Sequence, residues 1–391
     1  MSSDSSEYSE SVSSDDILDH DTNLELEGKI INNYNVICEL GRGSYSIVWL
    51  AINISNNKFF ALKVQNPNEY QDGINEIKFL KKLPTEPNVF NNIIEYFVHT
   101  DDNMKYLCSS YMLHCSNIDN IIRNDFYSDG IPIHIVKNIM KQLITAIYIL
   151  HNKFQVFHGD IKTDNILVKG NTIKQEFIMK NYKELYLEKY KKNNREKIHN
   201  EITEIVLEKY NMEHNINKID SKYLENMNIS LADFGTHCGI DDYYDSPFGT
   251  RYYQAPEIIL MGKCSLPVDI WALGCTFYEL LSGQFLFDPI KDTEGTRDYY
   301  HLKLINDTCG DFPESFLKTT RYYKNFFNNK CKLINNSTES NTEDRLERKI
   351  NEIDLSDELS EIKDLLKKML KINPNERIKI NELINHTFFN N

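Results

Sequence analysis

Residues 157–168 read FHGDIKTDNILV, and the rest of the chain is interpreted outward from them. They set an Asp, a Lys and an Asn at fixed offsets inside a loop, with apolar residues on either side. A phosphoryl-transfer loop needs these side chains. Asp160 would accept the proton of an attacking hydroxyl, Lys162 would neutralise charge on the moving phosphoryl group, and Asn165 would hold a magnesium ion. Taken alone, the spacing reads equally well as turn chemistry, in which an Asp beside Lys and Asn closes a bend. The flanking sequence has to choose between the two.

With 391 residues, 41% hydrophobic and 26% charged, the chain can bury one large two-lobed core or two ordinary ones. No uninterrupted apolar run approaches the length of a membrane span, and the opening Met1-Ser2-Ser3-Asp4 lacks the basic start of a signal peptide. A soluble intracellular protein is expected, cytoplasmic with access to the nucleus, without membrane or nucleic-acid binding and monomeric. The eight cysteines are scattered with no CxxC pair, which suits reduced thiols rather than a zinc site or a disulfide framework. The formal charge is −14, but residues 1–27 hold nine Asp or Glu and no Lys or Arg, so the remainder carries only −5. The abundance of Asn, Ile and Lys fits an AT-rich genome, such as that of a large DNA virus or a protist.

Residues 1–32 are an acidic, Ser-rich tail with too little apolar surface to offset the entropy of ordering. From Tyr34 the pattern is that of strands. YNVICELGRGSYSIVWLAI (34–52) places Gly41 and Gly43 between two β-rich runs, where backbone without Cβ can approach a triphosphate. The loop comprises Leu40, Gly41, Arg42, Gly43, Ser44, Tyr45, Ser46, Ile47 and Val48, and the third glycine of GxGxxG is replaced by Ser46. Lys63 ends the apolar strand FFALK, and INEIKFLKKL (74–83) spaces Ile74, Ile77 and Leu80 as a helix face, with Glu76 one turn from its start. Lys63 and Glu76 are read as an ion pair that would hold nucleotide phosphates. KYLCSSYMLHC (105–115) reads as a strand leading into a connector whose innermost side chain is either Ser110 or Tyr111.

Further on, Val136, Ile139, Met140, Leu143, Ile147 and Leu150 recur at helical spacing and predict a long core helix. Residues 169–228 interrupt the pattern as a mixed-charge insertion, with a Lys-Lys-Asn-Asn-Arg patch at 191–195. Removing 175–225 is expected to preserve catalysis. After an apolar strand come Asp233-Phe234-Gly235, with Asp233 as the second magnesium ligand, and Ala255-Pro256-Glu257. VDIWALGCTFYELLSG (268–283) is apolar almost all round and predicts a buried helix, with Asp269 either capping it or anchoring the catalytic loop from beneath.

In this order, the motifs make the chain resemble a eukaryotic-type protein kinase from Tyr34 to Phe389. Lys162, two residues after the catalytic Asp, and Thr250, ahead of the Ala-Pro-Glu, are similar to serine/threonine rather than tyrosine kinases. A finer resemblance is to the SR-protein-specific kinases. It is carried by LGRGSYSIVWL, by His-Gly-Asp in place of His-Arg-Asp, by the insertion, by FDPIKDTEGTRDYYHLKLI (287–305) and by RYYKNFF (321–327).

The resemblance implies an α+β, two-lobed fold with a kinase domain at 33–390, divided into an N-lobe at 33–113 and a C-lobe at 114–390, with the insertion before Asp-Phe-Gly. It implies ATP and Mg2+ as cofactors and serine or threonine of protein substrates as acceptors, in Arg-Ser-rich basic segments. Arg251 and Arg297 would receive an already phosphorylated serine, and Glu257 with Arg377 would form a buried pair. Gly159 removes an Arg that reads activation-loop phosphate, so constitutive activity is implied, and replacing Thr250, Tyr243 and Tyr244 is expected to leave basal turnover unchanged. Residues 281–317 carry seven acids against three bases. Asp288, Asp292, Glu294 and Asp298, with Asp241, Asp242 and Asp245, are expected to draw basic peptide. The alternative is a pseudokinase scaffold, which would call for a missing ligand.

Overall fold

The computed structural model describes residues 25–43, 45–101, 103–123, 126–189, 195–213, 219–242, 244, 246–290, 296–334, 345–353 and 358–390. These fall into two compact units, one comprising residues within 20–121 and 164–235, the other residues within 122–163 and 236–391. The sequence reading assigned the insertion to a C-lobe beginning at 114. In the structure it belongs instead with the β-rich unit.

That unit is built on six strands, β1 (Ile30–Ile31), β2 (Tyr34–Arg42), β3 (Ser46–Asn53), β4 (Lys58–Gln65), β5 (Glu95–Asp101) and β6 (Met104–Tyr111). They form one antiparallel sheet in the order β1-β2-β3-β4-β6-β5. β2 and β3 are nearly continuous apolar runs because both of their faces are covered. Tyr34, Val36, Ile47, Trp49 and Ala51 turn to one core with Phe60, Leu62 and Tyr106. Ile37, Leu50, Ile52 and Phe59 turn to the other, and the insertion fills it.

Two helices of the insertion, Ile173–Lys189 and Arg195–Glu213, bury Ile178, Tyr182, Ile198, Ile202 and Val206 against that second face. The amide of the buried Asn35 reaches across this contact, Nδ2 donating to Tyr182 Oη (3.1 Å) and Thr203 Oγ1 (3.0 Å). The mixed charge of the insertion therefore marks its outer faces, and the expectation of a dispensable segment is corrected: its apolar stripe is part of the core of this unit. Residues 191–194 of the basic patch lie outside the described residues.

A second sheet in the same unit joins β7 (His114–Asn117), β9 (Ile166–Lys169) and β10 (Ile229–Leu231) in the order β10-β9-β7. Burial pushes His114 down to about 4. The folded state thus keeps this imidazole neutral while the unfolded chain protonates it near pH 6.5, so its contribution is complete above 6.5 and is lost as pH falls towards 4. Between pH 7 and pH 5 this one group should remove about 2 kcal/mol of stability. Urea titrations of the wild type and of His114→Gln at the two pH values should differ by that amount; identical pH dependence would contradict a buried neutral His114.

The other unit is helical, with one short ladder in which β8 (Val156–Phe157) pairs with β11 (Cys238–Gly239). The helix Ile133–Ile149 runs on through Phe154, and Val136, Ile139, Met140, Leu143, Ile147 and Leu150 are all fully buried. By length and composition 133–154 would suffice to cross a membrane, contrary to the reading of the sequence by uninterrupted runs, but half of it is buried inside the protein as a core helix. The helix Pro267–Ser282 is buried on every side and stops at Gly283, φ +70°, where an added Cβ would lie 2.1 Å from Ser128 O.

Beneath it, Arg377 donates Nη1 and Nη2 to Glu257 Oε1 and Oε2 at 2.5 and 2.6 Å, and also donates to the carbonyls of Pro267, Lys371 and Ile372. Both partners are under 5% exposed. Arg377→Met should cost about 3–5 kcal/mol, because it strands a buried carboxylate. The double variant Glu257→Leu/Arg377→Met should recover most of that loss in a denaturation experiment; additive losses would show that the two do not act as a pair.

Candidate active site

In the helical unit the catalytic loop is held from below and closed from above. Asp269 Oδ2 accepts from His158 N (2.8 Å) and His151 Nε2 lies 2.8 Å from the same oxygen, while Oδ1 accepts from Gly159 N (3.0 Å). Leu266 is the cap residue of this helix, so of the two roles open to Asp269 the structure gives the anchor. Gly159 has φ +82°, and a Cβ there would meet Thr236 O at 2.8 Å. Any side chain at this position would be strained as well as crowded.

Asp160 Oδ1 accepts from Thr250 N (2.8 Å), Lys162 Nζ lies 3.3 Å from Asp160 Oδ2, and Lys162 Nζ donates to Thr250 Oγ1 (2.7 Å). Thr250 is the residue that sequence reasoning missed. It had been read as exchangeable without effect, but it orients the carboxylate and holds the ammonium. Tyr244 is not neutral either. Its hydroxyl donates to Thr236 O (2.5 Å), and its ring stacks on Phe248 at 4.0 Å, which in turn stacks on Phe157 at 5.8 Å. Tyr243 lies outside the described residues, as does Asp245.

In the β-rich unit the glycine loop joins β2 and β3, with Gly41 opposite Val48 and Arg42 opposite Ile47. Gly43 N donates to Ser46 O at 2.9 Å, Tyr45 is exposed, Leu40 packs beside the insertion, and Ser44 lies outside the described residues. A Cβ added at Gly41 would meet nothing within 4 Å, and one at Gly43 only Ser46 O at 3.9 Å. Internal packing does not require these glycines, so the space they leave open is available to a ligand.

Lys63 Nζ donates to Glu76 Oε2 at 3.1 Å, and Glu76 Oε1 accepts from Phe234 N at 3.2 Å. Burial alone would lower the Lys63 amine, but the Glu76 and Asp233 carboxylates outweigh it and hold it above its ordinary value. Tyr111 shares this charged neighbourhood. Ser110 Oγ faces the opposite core, where it accepts from the Tyr34 hydroxyl. The ambiguity between Ser110 and Tyr111 is thereby resolved in favour of Tyr111.

The β9–β10 ladder sets Ile166 opposite Leu231, and Ala232 N donates to Asn165 O at 2.9 Å. This register places Asn165 next to Asp233. Asp233 itself has φ +62°, an uncommon left-handed conformation for a residue other than glycine. Phe234 is fully buried between Phe79 and Phe90. Among the described residues no group of three His, Cys, Asp or Glu could chelate a metal. An amide oxygen beside a carboxylate, with the rest of the shell left to phosphate and water, is the incomplete oxygen set that magnesium takes.

Of the residues assigned from the resemblance to bind phosphoserine, Arg251 is buried and ion-paired with Asp298. This takes Arg251 out of that role and removes Asp298 from the surface acids. Arg297 donates to Pro289 O at 3.2 Å and lies over the Tyr252 ring. Asp241, Asp242 and Asp288 are exposed, whereas Asp292 and Glu294 lie outside the described residues.

The chain is 28% identical to the serine/threonine-protein kinase SRPK of Physarum polycephalum, over 77% of this chain and 72% of that one. It is 27% identical to the dual specificity protein kinase CLK4 of Homo sapiens, over 91% and 66%. An Acanthamoeba polyphaga mimivirus sequence named as a serine/threonine-protein kinase, L205, is 26% identical over 91% and 87%. The fold matches the crystal structure of a kinase domain with a TM-score of 0.67 at 23% identity, covering 93% of this chain and 97% of that one. The protein kinase domain model matches residues 34–389, and the chain accordingly belongs to the protein kinase family, as a protein serine/threonine kinase.

Proposed function

We propose that the chain transfers the γ-phosphoryl group of ATP to serine or threonine in Arg-Ser-rich, basic protein segments. The observation that carries the catalytic part is the arrangement of Asp160, Lys162 and Thr250, in which one carboxylate is oriented by a backbone N–H and flanked by an ammonium. Asp160 accepts the proton of the substrate hydroxyl as the oxygen attacks, and Lys162 offsets the charge that develops. Lys63, held charged by Glu76, would bind phosphate oxygens, and the open backbone at Gly41 and Gly43 leaves room for them. Asn165 and Asp233 would hold Mg2+. When bound, Mg-ATP supplies the phosphoryl group and neutralises its charge. The side chains of this chain supply position and proton transfer.

The basic substrate class is supported by the likeness to a kinase named SRPK and by the exposed Asp241, Asp242 and Asp288. Exposed acids are individually worth ~0–1 kcal/mol, but their field sums and is screened by salt. Arg-Ser repeat peptides should be preferred over serine peptides flanked by acids, with a KM that rises with ionic strength. Asp288→Asn/Asp292→Asn/Glu294→Gln should raise that KM about fivefold with kcat unchanged. Equal use of acidic peptides, or a KM indifferent to salt, would contradict the Arg-Ser preference and leave phosphotransfer untouched.

A further inference from the structure

β5 is an outer strand of the six-stranded sheet, paired with β6 along one side. Its pleat turns Tyr96, Val98 and Thr100 to one face, opposite Ser109, Leu107 and Lys105 of β6. Tyr96 is 41% exposed and Val98 44%, and Ile94, just ahead of the strand, is 47% exposed. Three large apolar side chains thus meet water along a sheet edge, a place that proteins ordinarily guard with charge. The strand has acids only at its two ends, and both are engaged within the protein. Glu95 accepts from the Tyr34 hydroxyl at 3.0 Å, and Asp101 lies 4.0 Å from Lys29 Nζ.

The rim of this stripe is basic. Lys81 Nζ lies 4.2 Å from the centre of the Tyr96 ring at one end, and Lys105 faces Thr100 at the other. Both lysines are exposed, as are Lys78 and Lys82 on either side of Lys81 in the chain. An apolar stripe between cations suits an extended segment with aliphatic side chains at its middle and acids on both flanks.

The chain itself carries such a segment. Asp15-Asp16-Ile17-Leu18-Asp19-His20-Asp21 sets two adjacent aliphatic residues between two pairs of aspartates, and residues 1–27 as a whole hold nine acids and no Lys or Arg. The segment is also within reach. Leu26 is buried in the core shared by Phe97 of β5 and Tyr106 of β6, and Lys29 meets Asp101 at the end of β5. From Leu26 back to Leu18, extended chain covers about 26 Å, against about 23 Å for the seven residues of β5. We propose that residues 15–21 dock along the open side of β5, Ile17 and Leu18 covering Ile94, Tyr96 and Val98 while the flanking aspartates engage Lys81 and Lys105.

The test places a benzophenone side chain at position 17 of the full chain by codon reassignment. Irradiation at low salt should link it to residues 94–107 of the same molecule, and the yield should fall as salt is added. In the otherwise unaltered chain, amides 95–101 should exchange roughly tenfold more slowly than in Asp15→Lys/Asp16→Lys/Asp19→Lys/Asp21→Lys. Lys81→Glu/Lys105→Glu, at two exposed positions, should lose the crosslink and the protection alike, and combining both sets of reversals should restore them. Crosslinks outside 94–107, or exchange indifferent to either reversal, would overturn the proposal. So would crosslinks between molecules whose yield rises with protein concentration, which would put a second copy on the stripe. Neither readout depends on phosphotransfer by this chain, so failure here is distinguishable from failure of the substrate assignment.

Discussion

Asp233→Ala is expected to bring phosphotransfer close to background while the rest of the protein stays folded. Asp233 follows Ala232, whose N–H donates to the Asn165 carbonyl at the end of the β9–β10 ladder, and its charge also helps to hold the Lys63 amine protonated. A bound metal is worth several kcal/mol of charge stabilisation in such reactions. At about 1.4 kcal/mol per decade, its loss should lower kcat by about 10²–10³-fold or more. The backbone complicates the alanine variant, because Asp233 sits at φ +62°, where a side chain without local hydrogen bonding costs about 1–2 kcal/mol. Asp233→Asn separates the two effects, since asparagine tolerates that conformation and removes only the charge. Both variants should lose turnover. Only alanine should lose measurable stability, and wild-type-like turnover in Asp233→Asn would refute the assigned metal ligand.

The second large effect is expected from the insertion. Deleting 175–225 would bare the sheet face formed by Ile37, Leu50, Ile52 and Phe59, and would leave Asn35 without its two partners. Burying a large apolar side chain contributes about 1.5–3 kcal/mol, and the helices bring five fully or nearly fully buried ones to this contact. The loss exceeds the ~5–15 kcal/mol margin of an ordinary domain or approaches it, so the deletion should abolish soluble folded protein rather than merely change location. A milder probe is Tyr182→Ala, which removes the ring packed edge-on to Phe59 at 5.8 Å and the hydroxyl 2.6 Å from His199 Nδ1. It should cost about 3–5 kcal/mol in denaturation. A deletion that is monomeric, folded and active would show that the helices are accessory.

Lys63, Glu76, Asp160, Lys162, Asn165 and Asp233 stand out in the sequence because a phosphoryl-transfer reading asks for particular residue types in a particular order, and the structure brings Lys63 to Glu76 and Lys162 to Asp160. The insertion was harder to read. Its signal was present, as Ile178 and Tyr182 are four residues apart and Ile198, Ile202 and Val206 follow at the same interval. Polar residues such as Lys180, Asn181, Asn200, Glu201 and Glu204 fill most of the positions between, so the stripe is too narrow to stand out against the overall polarity.

Thr250 and Asp298 were misread for a different reason. A loop threonine and a helix-start aspartate look alike whether solvated or paired. Only tertiary structure brings Thr250 to Lys162 and Asp298 to Arg251. Asp269 was left between two roles because capping a helix and anchoring a loop ask the same thing of an aspartate.

The most direct measurement is the transfer of labelled γ-phosphate from Mg-ATP to an Arg-Ser repeat peptide by the full chain, run beside Asp160→Asn with nucleotide binding measured in parallel. The account predicts labelled phosphoserine from the wild type, with a rate reduced by about 10²–10⁴-fold in Asp160→Asn and nucleotide affinity retained. A wild-type chain that binds Mg-ATP but labels no peptide, or an Asp160→Asn variant that labels as fast as the wild type, would contradict it.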